Sequence, residues 1–463
     1  MSDSPPLSFT QLSLRPELAD GVRRAGYEQM TPIQAHGLPT ILAGRDLLAQ
    51  ARTGSGKTAA FALGILEKLT SEQYATQALV LCPTRELASQ VADEFRRLAK
   101  AMANTRVVTL CGGKAMGPQL ASLKRDPHIV VGTPGRIQKH LDLGTLELDA
   151  LRTLVLDEAD RMLDMGFHDD IMSIIERVPG KRQTLLFSAT YPDGIAEISG
   201  AIQTNPVDLR VDHAPDTAAV EQVFYEVEKG RRTQTLLALL AHHDLSSCLV
   251  FCNRKSACQE LADNLWERGF HALALHGDLQ QAERDEVMLR FANNSCSILV
   301  ATDVAARGID IADLPAVVSF DLTPDPQVHV HRTGRTGRAG KDGLAINLFL
   351  PAERYRVDGL AEQLGLTVDV RQPPTNAAPG GKPARPPMVT LRIQGGRKDK
   401  LSAGDILGAL TADKSVQGTQ IGKINLFPRL AYVAVARPAA RRALHILAQA
   451  PIKGRRFRVR RLR

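Results

Sequence analysis

Asp46-Leu-Leu-Ala-Gln-Ala-Arg-Thr-Gly-Ser-Gly-Lys-Thr58 opens on a short apolar run and turns through two glycines. It continues into Ala59-Ala-Phe-Ala-Leu-Gly-Ile-Leu-Glu-Lys68, which is rich in helix formers. Strand, glycine turn and helix in that order begin a parallel α/β unit. Backbone N–H groups of such a turn curl around phosphates, and the helix behind them adds a positive partial charge. Lys57 is then placed to reach the outer phosphates, and the Thr58 hydroxyl to hold Mg2+. Ala51 stands where the general phosphate-loop pattern has Gly. A plain glycine turn is the competing reading, weakened by the Lys and Thr that follow directly.

Working outward, apolar runs of strand length recur at QALVLCP (77–83), RVVTLCGG (106–113), HIVVGTP (128–134), TLVLDEAD (153–160) and TLLFSAT (184–190), with amphipathic stretches between them. This alternation predicts a parallel sheet covered by helices on both faces. A second series begins near Val220, with CLVFCN (248–253), HALALHG (271–277), SILVATD (297–303), AVVSFD (316–321) and LAINLFL (344–350). The expected organisation is one α/β domain over residues 1–210 and another over 217–370.

Residues 371–387, RQPPTNAAPGGKPARPP, carry six prolines and almost no apolar side chain, so they are expected to form an extended linker. Beyond it, 388–463 reads as strand, helix, two strands, helix and strand. That order predicts an α+β domain similar to the RNA-recognition (RRM) sandwich.

The 463 residues are 44% hydrophobic and 23% charged, with 36 Gly and 26 Pro, a composition of ordinary globular domains. No apolar run approaches the roughly 18 residues of a membrane helix, and the N-terminus lacks a basic region followed by an apolar one. Membrane and secreted classes are therefore set aside and a cytoplasmic location is expected. Cys82, Cys111, Cys248, Cys252, Cys258 and Cys296 form no CxxC pair, so neither a disulfide framework nor a zinc site is expected.

The formal charge of +8 is unevenly spread. From Met388 onward there are 17 Lys and Arg against 3 Asp and Glu, net +14, which leaves −6 for the rest. A basic module on a mildly acidic body points to a nucleic-acid partner, because Lys and Arg displace counterions from phosphates.

Three carboxylates end the strand-like run TLVLDEAD. In a phosphate-loop fold Asp157 would hold the metal through water, and Glu158 would orient or deprotonate the attacking water. An acidic turn is the alternative for the four letters taken alone.

With these residues in place, the chain resembles the DEAD-box RNA helicases, whose motifs it matches in order from Phe9 to Arg338. The resemblance implies two RecA-like domains, ATP and Mg2+ as cofactors, and RNA as partner. Gly26-Tyr-Glu-Gln-Met-Thr-Pro-Ile-Gln34 with Phe9 upstream matches the adenine-reading motif: Gln34 would pair with the base and Tyr27 stack on it. Thr53, Gly54, Ser55 and Gly56 would cradle the phosphates. Pro83-Thr-Arg-Glu-Leu87, Gly112-Gly113 and Thr133-Pro-Gly-Arg136 match RNA-backbone contacts, which makes Arg85, Gly113, Thr133 and Arg136 candidate ligands.

Ser188-Ala-Thr190 matches the motif that couples hydrolysis to strand separation through Asp160. In the second domain, Phe251-Cys-Asn253, His276-Gly-Asp278, Ala301-Thr-Asp-Val-Ala-Ala-Arg-Gly-Ile-Asp310 and His331-Arg-Thr-Gly-Arg-Thr-Gly-Arg338 also match. By that carry-over Arg284 and Thr302 touch RNA and Asp310 touches the ribose. Arg307, His331 and Arg332 take part in coupling, while Arg335 and Arg338 are the arginine fingers that stabilise phosphoryl transfer. Fingers on one domain and phosphate loop on the other imply that hydrolysis requires closure. His329 stands where the family often has Tyr, and Thr333 where it often has Ile.

The tail extends the resemblance to the bacterial DbpA subgroup, in which it recognises a hairpin of 23S rRNA during large-subunit assembly. Its strands lack the usual base-stacking aromatics apart from Tyr432. Polar and basic candidates are Arg392, Lys398, Lys400 and Lys423, then Arg455, Arg456 and Arg458, each with a solvated surface as the alternative. Trp266, in an amphipathic helix pattern, is expected in the core. The expected function is a monomeric ATP-dependent RNA helicase. The alternatives are an ATP-gated RNA clamp, a general RNA chaperone without a dedicated rRNA target, or a related DNA helicase.

Overall fold

Seven strands form the first sheet: β1 (Leu47–Gln50), β2 (Ala78–Leu81), β3 (Val107–Leu110), β4 (Ile129–Gly132), β5 (Thr153–Asp157), β6 (Gln183–Ser188) and β7 (Val207–Arg210). All pair in parallel, in the order β3-β4-β2-β5-β6-β1-β7. The structure is a computed structural model and describes residues 8–51, 55–191, 193–210, 220–243, 245, 247–306, 314–337, 343–374, 383 and 385–462.

Alternate strand residues enter two separate cores. Leu47, Ala49, Val80, Val131, Val155 and Phe187 pack on one face; Leu48, Leu79, Leu81, Val130, Leu156 and Leu186 pack on the other. Burial on both faces is why these strands read as unbroken apolar runs.

The second sheet holds β8 (Val220–Glu226), β9 (Cys248–Cys252), β10 (Ala272–Leu275), β11 (Ile298–Thr302), β12 (Ala316–Ser319), β13 (Gly343–Phe349) and β14 (Asp369–Arg371). Its order, β10-β11-β9-β12-β13-β8-β14, is that of the first sheet strand for strand. The two α/β domains are thus one topology used twice, as the two series of runs predicted. Both sheets contain an edge strand that the apolar runs did not reveal, β7 and β14. Arg371, assigned to the linker by composition, is the last residue of β14.

The tail is a four-stranded antiparallel sheet of order β16-β17-β15-β18, formed by β15 (Met388–Ile393), β16 (Ile421–Leu426), β17 (Ala431–Ala436) and β18 (Val459–Arg461). Helices Ala403–Thr411 and Ala440–Gln449 cover one face, with Leu391, Val433, Ile406, Leu410 and Leu447 in the core between. This is the strand and helix order expected for an RRM-like domain. The chain divides into two units, one built on the first α/β domain and the other containing the second α/β domain and the tail.

In a parallel sheet every strand delivers the next loop to the same edge, and ligands bind there. In the first domain that edge collects the phosphate loop after β1, Pro83–Leu87 after β2, Gly112-Gly113 after β3, Thr133–Arg136 after β4, the DEAD residues at the end of β5 and Ser188–Thr190 at the end of β6.

Candidate active site and nucleic-acid interface

Gly56 sits at φ +90° immediately before the helix Lys57–Lys68, in a conformation that disfavours any side chain. A Cβ there would also lie 2.5 Å from Gln34 Nε2. Gln34 Nε2 donates to the Gly56 carbonyl at 3.0 Å, and its Oε1 accepts from Thr31 N–H at 2.9 Å. The residue expected to read adenine is therefore buried against the loop expected to hold the phosphates. Phe9 is buried and tilted against Tyr27, with ring centroids 5.6 Å apart. The Tyr27 hydroxyl donates to Glu94 at 2.8 Å and accepts from Arg97 at 2.7 Å, so it is anchored on the helix Arg85–Leu98. Thr53 and Gly54 lie outside the described residues.

Lys57 Nζ stands 3.1 Å from Asp157 Oδ1 as a buried ion pair. Burial alone would lower the lysine, but the carboxylates of Asp157, Glu158 and Asp160 outweigh it and raise its pKa. Burial raises the Asp157 carboxyl, with Lys57 and backbone N–H of Glu158 pulling it back. Ser55 Oγ is shielded from solvent with no hydrogen-bond partner, and the equally shielded Lys57 ammonium and Asp157 carboxylate keep donors and acceptors unused beyond their own ion pair. Buried polar atoms left unsatisfied in this way are costly, and the cost is removed when a ligand supplies partners. A triphosphate with a divalent cation has the required chemistry: anionic oxygens for Lys57 and Ser55, positive charge for Asp157.

Glu158 adopts a left-handed backbone, φ 55° and ψ 54°, at the start of the helix Ala159–Asp164. Its carboxylate takes a 2.7 Å ion pair from Arg161. The sequence reading missed Arg161, whose signal was its i+3 spacing from Glu158. Asp160 Oδ2 accepts from Ala189 N–H at 3.1 Å, Thr190 N–H at 2.9 Å and the Thr190 hydroxyl at 2.8 Å. Ser188 Oγ donates to the Thr190 carbonyl at 2.6 Å. The hydrogen bonds expected between the Ser188–Thr190 motif and the DEAD residues are thus present at Asp160.

Along the same edge, the Arg85 guanidinium lies over Gly113, whose φ of +67° disfavours a side chain and whose Cβ would displace that guanidinium. Gly112 N–H donates to Thr133 Oγ1 at 3.4 Å. Arg136 donates to the Lys114 carbonyl at 3.1 Å and to Gln119 Oε1 at 3.0 Å. Half-buried Arg85 and Arg136, exposed Gly113 and buried Thr133 form one cationic ledge, with Gln119 as an additional support that sequence did not reveal.

In the second domain Arg332 is nearly inaccessible and forms a hub. It makes a bidentate pair with Asp303, donates to Asn253 Oδ1 at 2.8 Å and to the Asp321 carbonyl at 2.6 Å, and lies 5.2 Å from the Phe251 ring centroid. Three motifs matched separately in sequence meet on this guanidinium. Thr302 is buried at the end of β11, Arg335 is buried, and Arg284 and His331 are half-buried. Arg307, Asp310 and Arg338 lie outside the described residues.

The tail candidates separate into two groups. Arg392 and Tyr432 both reach Glu286 of the helix Gln281–Ala292, at 3.4 and 3.2 Å, so their side chains are engaged within the protein. Lys398, Lys400, Lys423, Arg455, Arg456 and Arg458 are exposed. Trp266, expected in the core, is 43% exposed.

Comparison with known proteins matches this architecture domain by domain. Residues 31–198 fit the DEAD/DEAH box helicase family, 231–340 the helicase conserved C-terminal domain, and 390–461 the DbpA RNA binding domain. The ATP-dependent RNA helicase DbpA of Escherichia coli (strain K12) is 51% identical over 98% of this chain and its whole own length. The DEAD-box ATP-dependent RNA helicase CshA of Geobacillus kaustophilus is 43% identical over 80% of this chain and 79% of its own. Among solved structures, S. cerevisiae Dbp5 bound to RNA and ADP BeF3 superposes with TM-score 0.72 at 29% identity, covering 79% of this chain and 95% of that one.

Proposed function

The chain belongs to the DEAD-box family of ATP-dependent RNA helicases and carries a DbpA-type RNA-binding domain, and from that premise we propose that it opens RNA duplexes locally in 23S rRNA during assembly of the large ribosomal subunit. The single observation carrying the rRNA reading is that the likeness to DbpA runs through the tail as well as the motor. The proposed setting is cytoplasmic and the proposed working form a monomer.

In this reading ATP lies on the phosphate loop with Lys57 drawn from Asp157 to the outer phosphates. Thr58 and Asp157 would hold Mg2+, partly through water, and the ion would supply positive charge to the phosphates. Glu158 orients the attacking water from a side chain fixed by Arg161. Arg335 and Arg338 supply the guanidinium charge that phosphoryl transfer needs. Asp160 passes the change at the phosphates to Ser188–Thr190, and the ledge of Arg85, Gly113, Thr133 and Arg136 grips the RNA backbone. The exposed cations of the tail select the target.

The test is steady-state ATPase activity with Mg2+ against 23S rRNA, its peptidyl-transferase-centre hairpin, unrelated RNA and DNA, for the whole chain and for one ending near Gln372. Stimulation by hairpin-containing RNA alone, lost on shortening, is expected. Equal stimulation by every RNA, tail or no tail, would leave a general RNA helicase.

A further inference from the structure

The second domain and the tail share a seam that nucleotide chemistry does not use. The helix Gln281–Ala292 and the turn after it lie against the sheet face opposite the tail helices. Besides the Glu286 contacts, Asn294 carbonyl accepts from Met388 N–H at 3.2 Å and Ser295 Oγ meets Thr390 Oγ1 at 2.6 Å. Thr390, Tyr432 and Ala434 are buried there. An RRM ordinarily stacks bases on this face. Here it is covered.

Where residues 385–387 enter the tail, cations gather beside that contact. Arg437 donates to the Pro386 carbonyl at 2.6 Å. Arg461 ends β18. His271, immediately before β10, is held below its ordinary pKa by burial and then by Arg437, Arg461, Arg385 and Arg290. Arg437 is lowered by burial and then by Arg461 and Arg385. Burial and these arginines are the largest influences on both. Arg385 and Arg461 are exposed and have no ion-pair partner among the described residues.

Unneutralised like charges oppose folding and attract anions. Trp266, the sole tryptophan, stands with its ring edge-on to His271, centroids 5.8 Å apart. An exposed indole beside clustered cations is the composition of a single-strand nucleic-acid site, the ring for a base and the cations for phosphates. We infer that this seam binds RNA: the sugar–phosphate backbone lies on His271, Arg385, Arg437 and Arg461, and a base stacks on Trp266.

The inference rests on the RNA-helicase reading and adds a contact to it. His271 lies at the opening end of β10, whereas Thr302, the RNA candidate of the same sheet, lies at the closing end of β11, so the seam is separate from that site. It also supplies the aromatic that the tail's covered sheet face cannot present.

The experiment uses the full chain and an RNA duplex with a single-stranded extension, labelled for anisotropy, while Trp266 emission is followed in the same titration. RNA is expected to quench the indole. The double variant Arg385→Ala/Arg461→Ala is expected to bind at least about tenfold more weakly. The slope of log affinity against log salt should fall by about 1.4 to 1.8, for two phosphates released at 0.7 to 0.9 each. Trp266→Ala is expected to weaken binding about fivefold or more. Because the two arginines repel their neighbours, the double variant's melting temperature should not drop, which separates lost binding from lost fold. An unquenched indole, or an unchanged salt slope in the double variant, overturns the seam while leaving the helicase reading intact. Failure of the unaltered chain to bind any RNA would overturn both.

Discussion

His329 gives the second domain an acid-labile joint whose size follows from its surroundings. It lies in the helix Pro326–Thr333, nearly inaccessible, with its ring stacked near Phe224 at 6.3 Å and its Nε2 2.9 Å from Gln222 Oε1. Nδ1 is buried with no partner. The neutral ring satisfies Gln222 by donating from Nε2, but a second proton would place a donor on Nδ1 with nothing to accept it. Burial, and then the Arg332 charge, accordingly hold the pKa down to about 4, against an ordinary value of 6.5. A histidine depressed in the folded state supports stability above pH 6.5 and loses that support as pH falls towards 4. By linkage the loss is about 2 kcal/mol at pH 5 and about 3 kcal/mol at pH 4.

The perturbation is His329→Gln, which keeps a neutral polar group and removes the titration. Trp266, the only tryptophan, lies in the second domain, so urea denaturation followed by its emission reports that domain without signal from the others. Between pH 7 and pH 5 the stability of the natural chain should fall by about 2 kcal/mol more than that of the variant. The lowered His243 and His271 cancel in this difference. Parallel pH profiles, within about 0.5 kcal/mol, would refute the reasoning, because a buried imidazole with an unpaired nitrogen cannot be protonated at no cost.

Three further outcomes follow from the first domain and the cysteines. Lys57→Met should reduce ATPase to background. It should also lower the melting temperature, since breaking a buried pair costs about 3–5 kcal/mol before Asp157 relieves it by taking up a proton; an unchanged melting temperature would show the 3.1 Å pair to be energetically idle. Asp160→Asn should keep nucleotide binding but lose strand separation in a displacement assay. Whichever way the amide turns, a donor then faces the N–H groups of Arg161 or of Ala189 and Thr190, and full unwinding would show those bonds to be dispensable. All six cysteines are buried, and burial raises the thiols, Cys111 and Cys258 to about 11 and Cys248 and Cys296 to about 12. A thiol reagent at pH 8 should therefore find none of them until the chain is unfolded, and rapid reaction of the native protein would contradict the packing.

What the sequence discloses and what it hides divide along physical lines. Strands buried on both faces announce themselves, because each residue must be apolar; β1, β2, β4, β5 and β6 were visible for that reason. β7 and β14 are edge strands with alternating or partial exposure, three or four residues long, and no such run marks them. Motif residues held by local backbone geometry were equally visible: Gly56 and Gly113 need positive φ, and Lys57 follows its turn by one residue.

Side chains whose partners arrive from other elements were not visible. Arg332 reads as one more cation in a basic run, yet its four acceptor atoms come from Asn253, Asp303 and Asp321. Glu286 reads as a solvated helix acid, yet it holds Arg392 and Tyr432 across a domain boundary more than a hundred residues away. Trp266 was misplaced by a single step of helical rotation. The helix Lys255–Glu267 buries Cys258, Leu261, Ala262 and Leu265, and the next residue is turned about 100° from that stripe. That same turn carries the indole out of the core towards His271, so the one aromatic that an amphipathic count assigns to packing is the one left available for a base.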